Sequence, residues 1–420
     1  MLVRGFVDEI RDLGGIKFLK LNTYDGYIQV TVNKSLATPD IIEKVEKLTR
    51  QSCIIVEGER IENEKAPQGF EIFPKNIEIV SVAHTPLPLD PSGKTKAELE
   101  TRLDWRSLDL RHPKNKAIFK IQSKIVEGMT EYLTKNGFLQ VFTPCLMGAA
   151  SEGGSEVFPV AYFDKEAFLR QDPQLHRELT ILGGIEKLFD LGPSWRAELS
   201  HTTRHLCEHR ACAVELAFIK DEYDVMKVEQ ELMEAAFKKV REDCEKELKL
   251  LEVELQVPKL PFPVLEFPKV YDILAEFGKK YEIGEDYDRE SEIILWKYVK
   301  EKYKSDFFFV NRFPFAVKPF YVMRVDDEPI WARSVDMIYK GVELSSGGQR
   351  EHRYEKLVEQ VKEKKMNFDS IEWFVKFFKY GAPTLGGFAV GLERLTMQML
   401  DIKNVREAVL FPRTPERLLP

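Results

Sequence analysis

The sequence predicts a two-part α+β chain. A small five-stranded Greek-key barrel spans 1–85, a hinge spans 86–112, and a large antiparallel sheet flanked by helices spans 113–420. Three observations predict it. The first 85 residues alternate apolar and polar positions in short runs bounded by turn residues, with one helical stretch among them. Composition then shifts sharply at PLPLDPSGKTKAELETRLDWRSLDLR, where Pro86, Pro88, Pro91 and Gly93 end the barrel and a charged helical piece follows. Beyond it, amphipathic helices alternate with apolar and Gly-rich strand runs. A chain of 420 residues has room for two or three domains and a large core.

Composition limits the function classes. The net charge of −7 carries no global basic signature, so any nucleic-acid contact must rest on local patches. Five irregularly spaced cysteines fit a reducing compartment rather than a disulfide framework. No apolar run approaches a membrane span, and Asp8 and Glu9 interrupt the first residues where a secretory core would lie. The expectation is a soluble, cytoplasmic protein with no membrane partner.

In the barrel, Val3–Ile10, Lys17–Leu21, Tyr27–Val32, Ser52–Glu57 and Phe70–Val82 read as strands, with Thr23–Gly26 as a turn. Ile41–Thr49 is helical by spacing. Five strands and a helix match the oligonucleotide-binding (OB) barrel, whose exposed face can stack a base on an aromatic ring. Phe18 and Gln29 are placed to stack and to hydrogen-bond; periodicity alone leaves Phe18 open to a plain core role.

Further on, Asn115–Asn136 carries Ile118, Ile121, Ile125, Met129 and Leu133 at helical spacing and stops at Gly137. A strand should end at Pro144, followed by an SEGG turn bearing Glu152. FLRQDPQLHREL reads as strand into helix, with Asp172, Gln174 and Arg177 near the junction. Asp221–Leu250 reads as one long charged helix, and 269–305 as mixed helix and loop. PFYVMRV, IWARSVDMIYKGVELSSGG and GGFAVG read as three further antiparallel strands.

The chemistry concentrates in two stretches. SWRAELSHTTRHLCEHRACAVELAF (Ser194–Phe218) reads as strand–loop–strand. Arg196 and Glu198, two apart on a strand, should point into one cleft, and the loop adds Arg204, His205 and Glu208. Cations and a carboxylate over one space suit a polyphosphate. About 200 residues later, GGFAVGLERL runs a Gly-rich strand into a helix carrying Arg394. His201, His205, Cys207, His209 and Cys212 also lie within twelve residues, a density that could bind zinc, although the spacing matches no standard finger.

In that order, WRAE…TTRHL and GLERL resemble motifs 2 and 3 of class II aminoacyl-tRNA synthetases. The resemblance extends over the whole chain: DLGGIKF, PLPLDPSGK, SEGG, QDPQL, GVELSSGGQREHR and FPRTPERLLP are similar to the archaeal or eukaryotic-type aspartyl enzymes of the aspartyl/asparaginyl subfamily. It implies an OB-fold anticodon domain, a class II catalytic domain, and activation of aspartate by ATP with transfer to tRNA. It implies ATP around Arg196, Glu198, Arg204, His205, Leu206, Glu343 and Arg394, with Arg196 and Arg394 as the catalytic cations. Asp336, Glu343 and Ser346 match the family's Mg2+ ligands. The amino-acid pocket maps to Glu152, Asp172, Gln174, Arg177, Ala213, Arg350 and Leu385, with Arg350 forking the side-chain carboxylate. Phe18 and Gln29 match anticodon-contacting positions. Pro144, ending motif 1, implies a homodimer.

The pocket departs from the family pattern. Aspartyl enzymes usually read QSPQLYK, and here Asp172 replaces the serine and Arg177 the lysine. Ala213 stands where an aspartate orients that lysine, and Leu385 where a histidine is usual. Either the changes compensate, keeping aspartate, or the site adenylates another amino acid, asparagine or a non-standard one. A tRNA-binding protein without activity is a third reading. Pro67, where strictly tRNA(Asp)-specific archaeal enzymes carry lysine, hints at use of both tRNA(Asp) and tRNA(Asn).

Overall fold

The computed structural model describes residues 1–148, 156–199 and 202–420. The chain divides into two compact units, Met1–Lys116 and Ala117–Leu419.

In the first unit, β1 (Leu2–Asp12), β2 (Ile16–Thr23), β3 (Gly26–Asn33), β4 (Cys53–Glu62) and β5 (Phe70–Ser81) close a barrel in the order β1-β2-β3-β5-β4. Alternation sends Leu19, Leu21, Val30, Val32, Ile54, Val56 and Ile72 inward. Phe18 is therefore outside the core: it is half-buried on the outer face, opposite Thr31. Helix α1 (Pro39–Glu46) starts where the Thr38 hydroxyl accepts the Ile41 N–H and Pro39 presets the first turn. Two short helices, α2 (Leu99–Asp104) and α3 (Arg106–Asp109), occupy the stretch read as hinge. The buried Arg106 and Asp109 pair there at 2.5 Å. The boundary between the units falls within helix α4 (Pro113–Lys135).

The second unit is built on an eight-stranded sheet. Its strands are β6 (Leu139–Gln140), β10 (Lys187–Trp195), β11 (Glu208–Ala217), β12 (Val264–Glu266), β13 (Phe307–Asn311), β14 (Ser334–Tyr339), β15 (Val342–Arg350) and β16 (Leu385–Gly391). They run β12-β13-β14-β15-β16-β11-β10-β6. The six central strands are antiparallel, as expected of the large sheet, and parallel pairing of β12 on β13 and of β6 on β10 makes it mixed at its two edges. A small sheet, β7 (Leu146–Met147), β8 (Pro159–Tyr162) and β9 (Lys165–Leu169), stands apart in the order β7-β9-β8.

Three other local readings change. PFYVMRV forms no strand and makes only single bridges, Val322 to Arg350 and Arg324 to Ala332. The missed strand is β13. The helix expected over Asp221–Leu250 breaks at Cys244, whose backbone (φ −121°, ψ 28°) leaves helical geometry between α6 (Glu222–Asp243) and α7 (Glu245–Leu251).

One face of the sheet is core. Ile118, Ile121, Ile125, Met129 and Leu133 of α4, with Val225, Leu232, Met233 and Phe237 of α6, pack with Cys212, Val214, Leu216, Phe388 and Val390. Because side chains alternate, Ala211, Ala213, Glu215, Gly387 and Ala389 face the other way. The β14–β15 hairpin turns through Lys340 (φ 50°) and Gly341 (φ 72°), a two-residue left-handed turn. That turn and a bulge after Met337 set the register that places Asp336 opposite Ser346. Helices α8 (Lys269–Glu276) and α9 (Arg289–Tyr303) share a satellite core with β13. Among the described residues no helix is long and apolar enough to cross a membrane.

Candidate active site

On the open face of the sheet lies a cavity of about 610 Å³, within the range of small-ligand pockets. Its walls come from β11, β15 and β16, helix α5 (Gln174–Leu182), the loop after β10, and helix α12 (Leu392–Met399). Of the residues singled out in the sequence, Asp172, Gln174, Arg196, Glu198, Arg204, His205, Leu206, Glu343, Ser346, Arg350 and Arg394 line it. Asp336 stands directly behind Ser346, whose hydroxyl donates to Asp336 Oδ1 at 2.6 Å. Arg177, Ala213 and Leu385 do not line it. Glu152 lies outside the described residues.

One end of the cavity is cationic. Strand β10 stops at Trp195, so Arg196 and Glu198 sit in the loop rather than on a strand as expected. The loop is nonetheless pinned: Arg196 N–H donates to Cys207 O at 3.0 Å, and Cys207 N–H to Arg413 O at 2.9 Å. Arg394, early in α12, reaches toward Glu343, 4.0 Å away, and donates to its backbone oxygen at 3.3 Å. Burial and the nearby Arg394 hold His205 below its ordinary pKa, and its Nδ1 lies 2.6 Å from Thr202 Oγ1. Burial, with Arg196 and Arg394, lowers His209 to about 4. A neutral imidazole on the cavity wall offers a flat stacking face.

Beside this end lie the carboxylates. Lys318 pairs with the buried Asp336 at 2.9 Å. Burial and then the charge of Asp336 push the Glu343 carboxyl above its ordinary range. Glu292 of α9 is raised to about 7 by burial and by Glu343. Two crowded carboxylates with a hydroxyl form a hard-oxygen set, with Lys318 and Arg394 beside it. That set suits Mg2+, which is commonly bound by one or two carboxylates plus substrate phosphates.

The opposite end is a closed polar pocket. Arg350 donates through Nε and NH2 to Glu215 Oε1 at 3.1 and 2.9 Å, and through NH2 to Gly387 O at 3.1 Å. A Cβ at Gly387 would run into Val214 O and the Glu215 carboxylate, so only glycine leaves room for this pair. Gln174 Nε2 donates to Glu178 Oε1 at 3.0 Å and also to Glu215. Arg177, 2% exposed, donates to both oxygens of Asp172 at 2.8 and 2.6 Å and to Gln174 Oε1 at 2.9 Å. Asp172 thus supplies the counter-charge beside Arg177 on the chain where Ala213 offers none. Leu385 packs with Ile181 and Leu188 beneath α5, away from the cavity.

Sequence reasoning missed Glu178, Glu215 and Lys318. The available signal was a lone carboxylate inside an apolar strand, ACAVELAF, and a glutamate following the QDPQLHR run. The zinc reading fails geometrically. His209 faces the cavity while Cys212 points into the core on the opposite face, its thiol pushed up to about 12 by burial. His201 lies outside the described residues, and among the described residues no three His, Cys, Asp or Glu side chains gather for a metal.

On the barrel, Gln29 Nε2 donates to Glu71 Oε2 at 3.0 Å and Asn63 Nδ2 to Glu71 Oε1 at 2.9 Å, with Thr31 also donating. Burial pushes Glu71 up, but these hydrogen bonds outweigh it and hold the carboxyl below its ordinary range. Register places Phe18 and Lys20 beside Thr31 and Gln29, so the outer face presents a ring, an amide and an anchored carboxylate together.

One unit is a barrel of the kind that binds nucleic acid, and the other holds a cavity of cations and carboxylates suited to a nucleotide. Residues 98–415 match the tRNA synthetases class II (D, K and N), and residues 1–80 match the OB-fold nucleic acid binding domain. The chain belongs to the class II aminoacyl-tRNA synthetases of that group. It is 47% identical over 418 residues to the aspartate–tRNA(Asp) ligase of Pyrococcus horikoshii, covering 100% of this chain and 95% of that one. It is 44% identical over 416 residues to the aspartate–tRNA(Asp/Asn) ligase of Methanopyrus kandleri, covering 99% and 95%. The solved structure of asparaginyl-tRNA synthetase from Pyrococcus horikoshii with asparaginyl-adenylate superposes with a TM-score of 0.92 at 34% identity, covering 100% of this chain and 96% of that one.

Proposed function

We propose that this chain is an aspartate–tRNA ligase that forms aspartyl-adenylate from ATP and passes the aspartyl group to tRNA(Asp) and tRNA(Asn). The observation that carries the reading is the bipolar cavity: Arg196, Arg394 and His205 at one end, and the Arg350–Glu215 fork at the other. In this reading the α-carboxylate of aspartate attacks the α-phosphorus of ATP and pyrophosphate leaves. Arg196 stabilises the charge that develops on the α-phosphoryl oxygens, and Arg394 with His205 holds the outer phosphates. Asp336, Glu343 and Ser346 would hold Mg2+, which when bound neutralises phosphate charge. Neutral His209 stacks on the adenine, and Arg350 forks the side-chain carboxylate. Arg177, fixed by Asp172 and Gln174, supports that end from behind.

Aspartate over asparagine is supported by Arg350, the guanidinium that lines this end of the pocket, with Arg177 held behind it by Asp172. Phe18 and Gln29 would receive the anticodon on the barrel face. A homodimer is supported by apolar side chains left open in and just after the edge strand β6, Leu139 and Phe142, with Phe142 85% exposed. The test is charging of tRNA(Asp) and tRNA(Asn) transcripts with labelled aspartate. Acylation of both is the expected result, and acylation of neither would overturn the reading.

A further inference from the structure

Behind the side-chain end of the pocket sit two buried carboxylates and one shared amide. Glu178 and Glu215 are both 0% exposed. Each uses one oxygen to accept from Gln174 Nε2, and the Oε2 atom of each is buried without a hydrogen-bond partner among the described residues. Arg350 is the guanidinium bonded to Glu215, while Arg177 is engaged by Asp172 and by the oxygen of the same Gln174. The cluster therefore holds three carboxylates against two guanidiniums, in a place where a surplus charge is costly. One proton on Glu178 removes the surplus.

We propose that Glu178 is a positioning residue that leaves Arg350 available to the substrate's side-chain carboxylate only while Glu178 is protonated. The proposal rests on the aspartate reading above. With the proton in place, Glu215 alone balances Arg350, and an arriving carboxylate meets a shell of net charge near zero. Without the proton, a second fixed anion behind Arg350 opposes the incoming one.

The surroundings fix the direction. Burial pushes the Glu178 carboxyl up to about 8; Arg350 and Arg177 pull it down, and Glu215 pushes it further up. The group is thus neutral at pH 7 and charged above about pH 8. From α5 itself it faces Gln174 and Arg177, with Asp172 at the helix entrance; from β11 it faces Glu215, and from β15 Arg350. Asp190 of β10 acts on the same Arg177, and the turn Lys376–Tyr380 packed on this helix contributes the apolar Phe378.

The experiment is aspartate-dependent ATP–pyrophosphate exchange from pH 7 to 9 on the full chain and on Glu178→Gln, with the KM for ATP followed in parallel. The wild-type KM for aspartate should rise about tenfold between pH 7 and 9, since the competent form falls tenfold per unit above its pKa. The KM for ATP should stay within twofold. Glu178→Gln, whose amide cannot ionise, should show an aspartate KM at pH 9 within about twofold of its own value at pH 7. A parallel rise in both proteins, or a flat wild-type profile, overturns the proposal while leaving aspartate as substrate. No aspartate-dependent exchange at any pH removes the substrate reading and this inference with it. If the variant fails to fold, calorimetry of aspartate binding to the wild type in buffers of different ionisation enthalpy decides. Net proton uptake at pH 8.5 supports the proposal, and none overturns it.

Discussion

Replacing Arg350 by lysine isolates the fork from the charge. The guanidinium makes three short contacts, two to Glu215 Oε1 at 2.9 and 3.1 Å and one to Gly387 O at 3.1 Å, in a pocket where Glu215 is fully buried. A lysine keeps the cation, so Glu215 is not left as an uncompensated buried charge, which would cost about 3–5 kcal/mol and cloud the result. What it loses is planar, two-point geometry. A hydrogen bond to a charged group is worth about 1.5–3 kcal/mol, so losing one such contact to aspartate raises its KM about 10- to 150-fold. The ATP end is built from other residues, so the KM for ATP should change less than about threefold. The assay is steady-state ATP–pyrophosphate exchange at saturating ATP, with thermal unfolding recorded alongside. An unchanged aspartate KM in a folded Arg350→Lys protein would refute the assignment of this arginine to the side-chain carboxylate.

Other outcomes test separate parts. Phe18→Ala should weaken tRNA(Asp) binding by about 1–3 kcal/mol, read by filter binding, and leave aspartate activation unchanged, because the ring lies outside the barrel core. Arg394→Ala removes a cation from the phosphate end and should raise the KM for ATP about 10- to 150-fold, measured by the same exchange. Phe142→Asp places a charge on the exposed apolar edge and should convert a dimer into monomers in light scattering; an unchanged mass would remove that edge from the interface.

The barrel was readable because its strands alternate and its turns carry glycine or proline, but periodicity left Phe18 open to a core role, and only the folded register puts Leu19 and Leu21 inside and Phe18 outside. The convergence of Arg196, Glu198 and Arg394 on one cavity was readable from the two stretches that carry them, although Arg196 and Glu198 reach it from a loop after β10 and not from a strand. Errors arose where periodicity is uninformative. Strand β13, FFFVN, is apolar on both faces and shows no alternation, because α8 and α9 cover one face and the main core the other. PFYVMRV has strand-like composition, yet its chain makes only single bridges. The family resemblance placed Leu385 in the amino-acid pocket, but its neighbours Ile181 and Leu188 make an apolar nest that no linear motif reveals. Glu215 and Glu178 were hidden for the opposite reason. Glu215 is one acid among apolar neighbours and Glu178 follows the polar His176–Arg177 pair, and only the folded chain joins the two through Gln174 beside Arg350.

The most direct test of the account is ATP–pyrophosphate exchange against all twenty amino acids with magnesium present. The account predicts exchange with aspartate alone, with Arg177 and Asp172 acting as a compensated pair in place of the family's lysine. Exchange driven by another amino acid and not by aspartate would contradict it, and would make the Arg177–Asp172–Gln174 cluster the seat of a changed specificity.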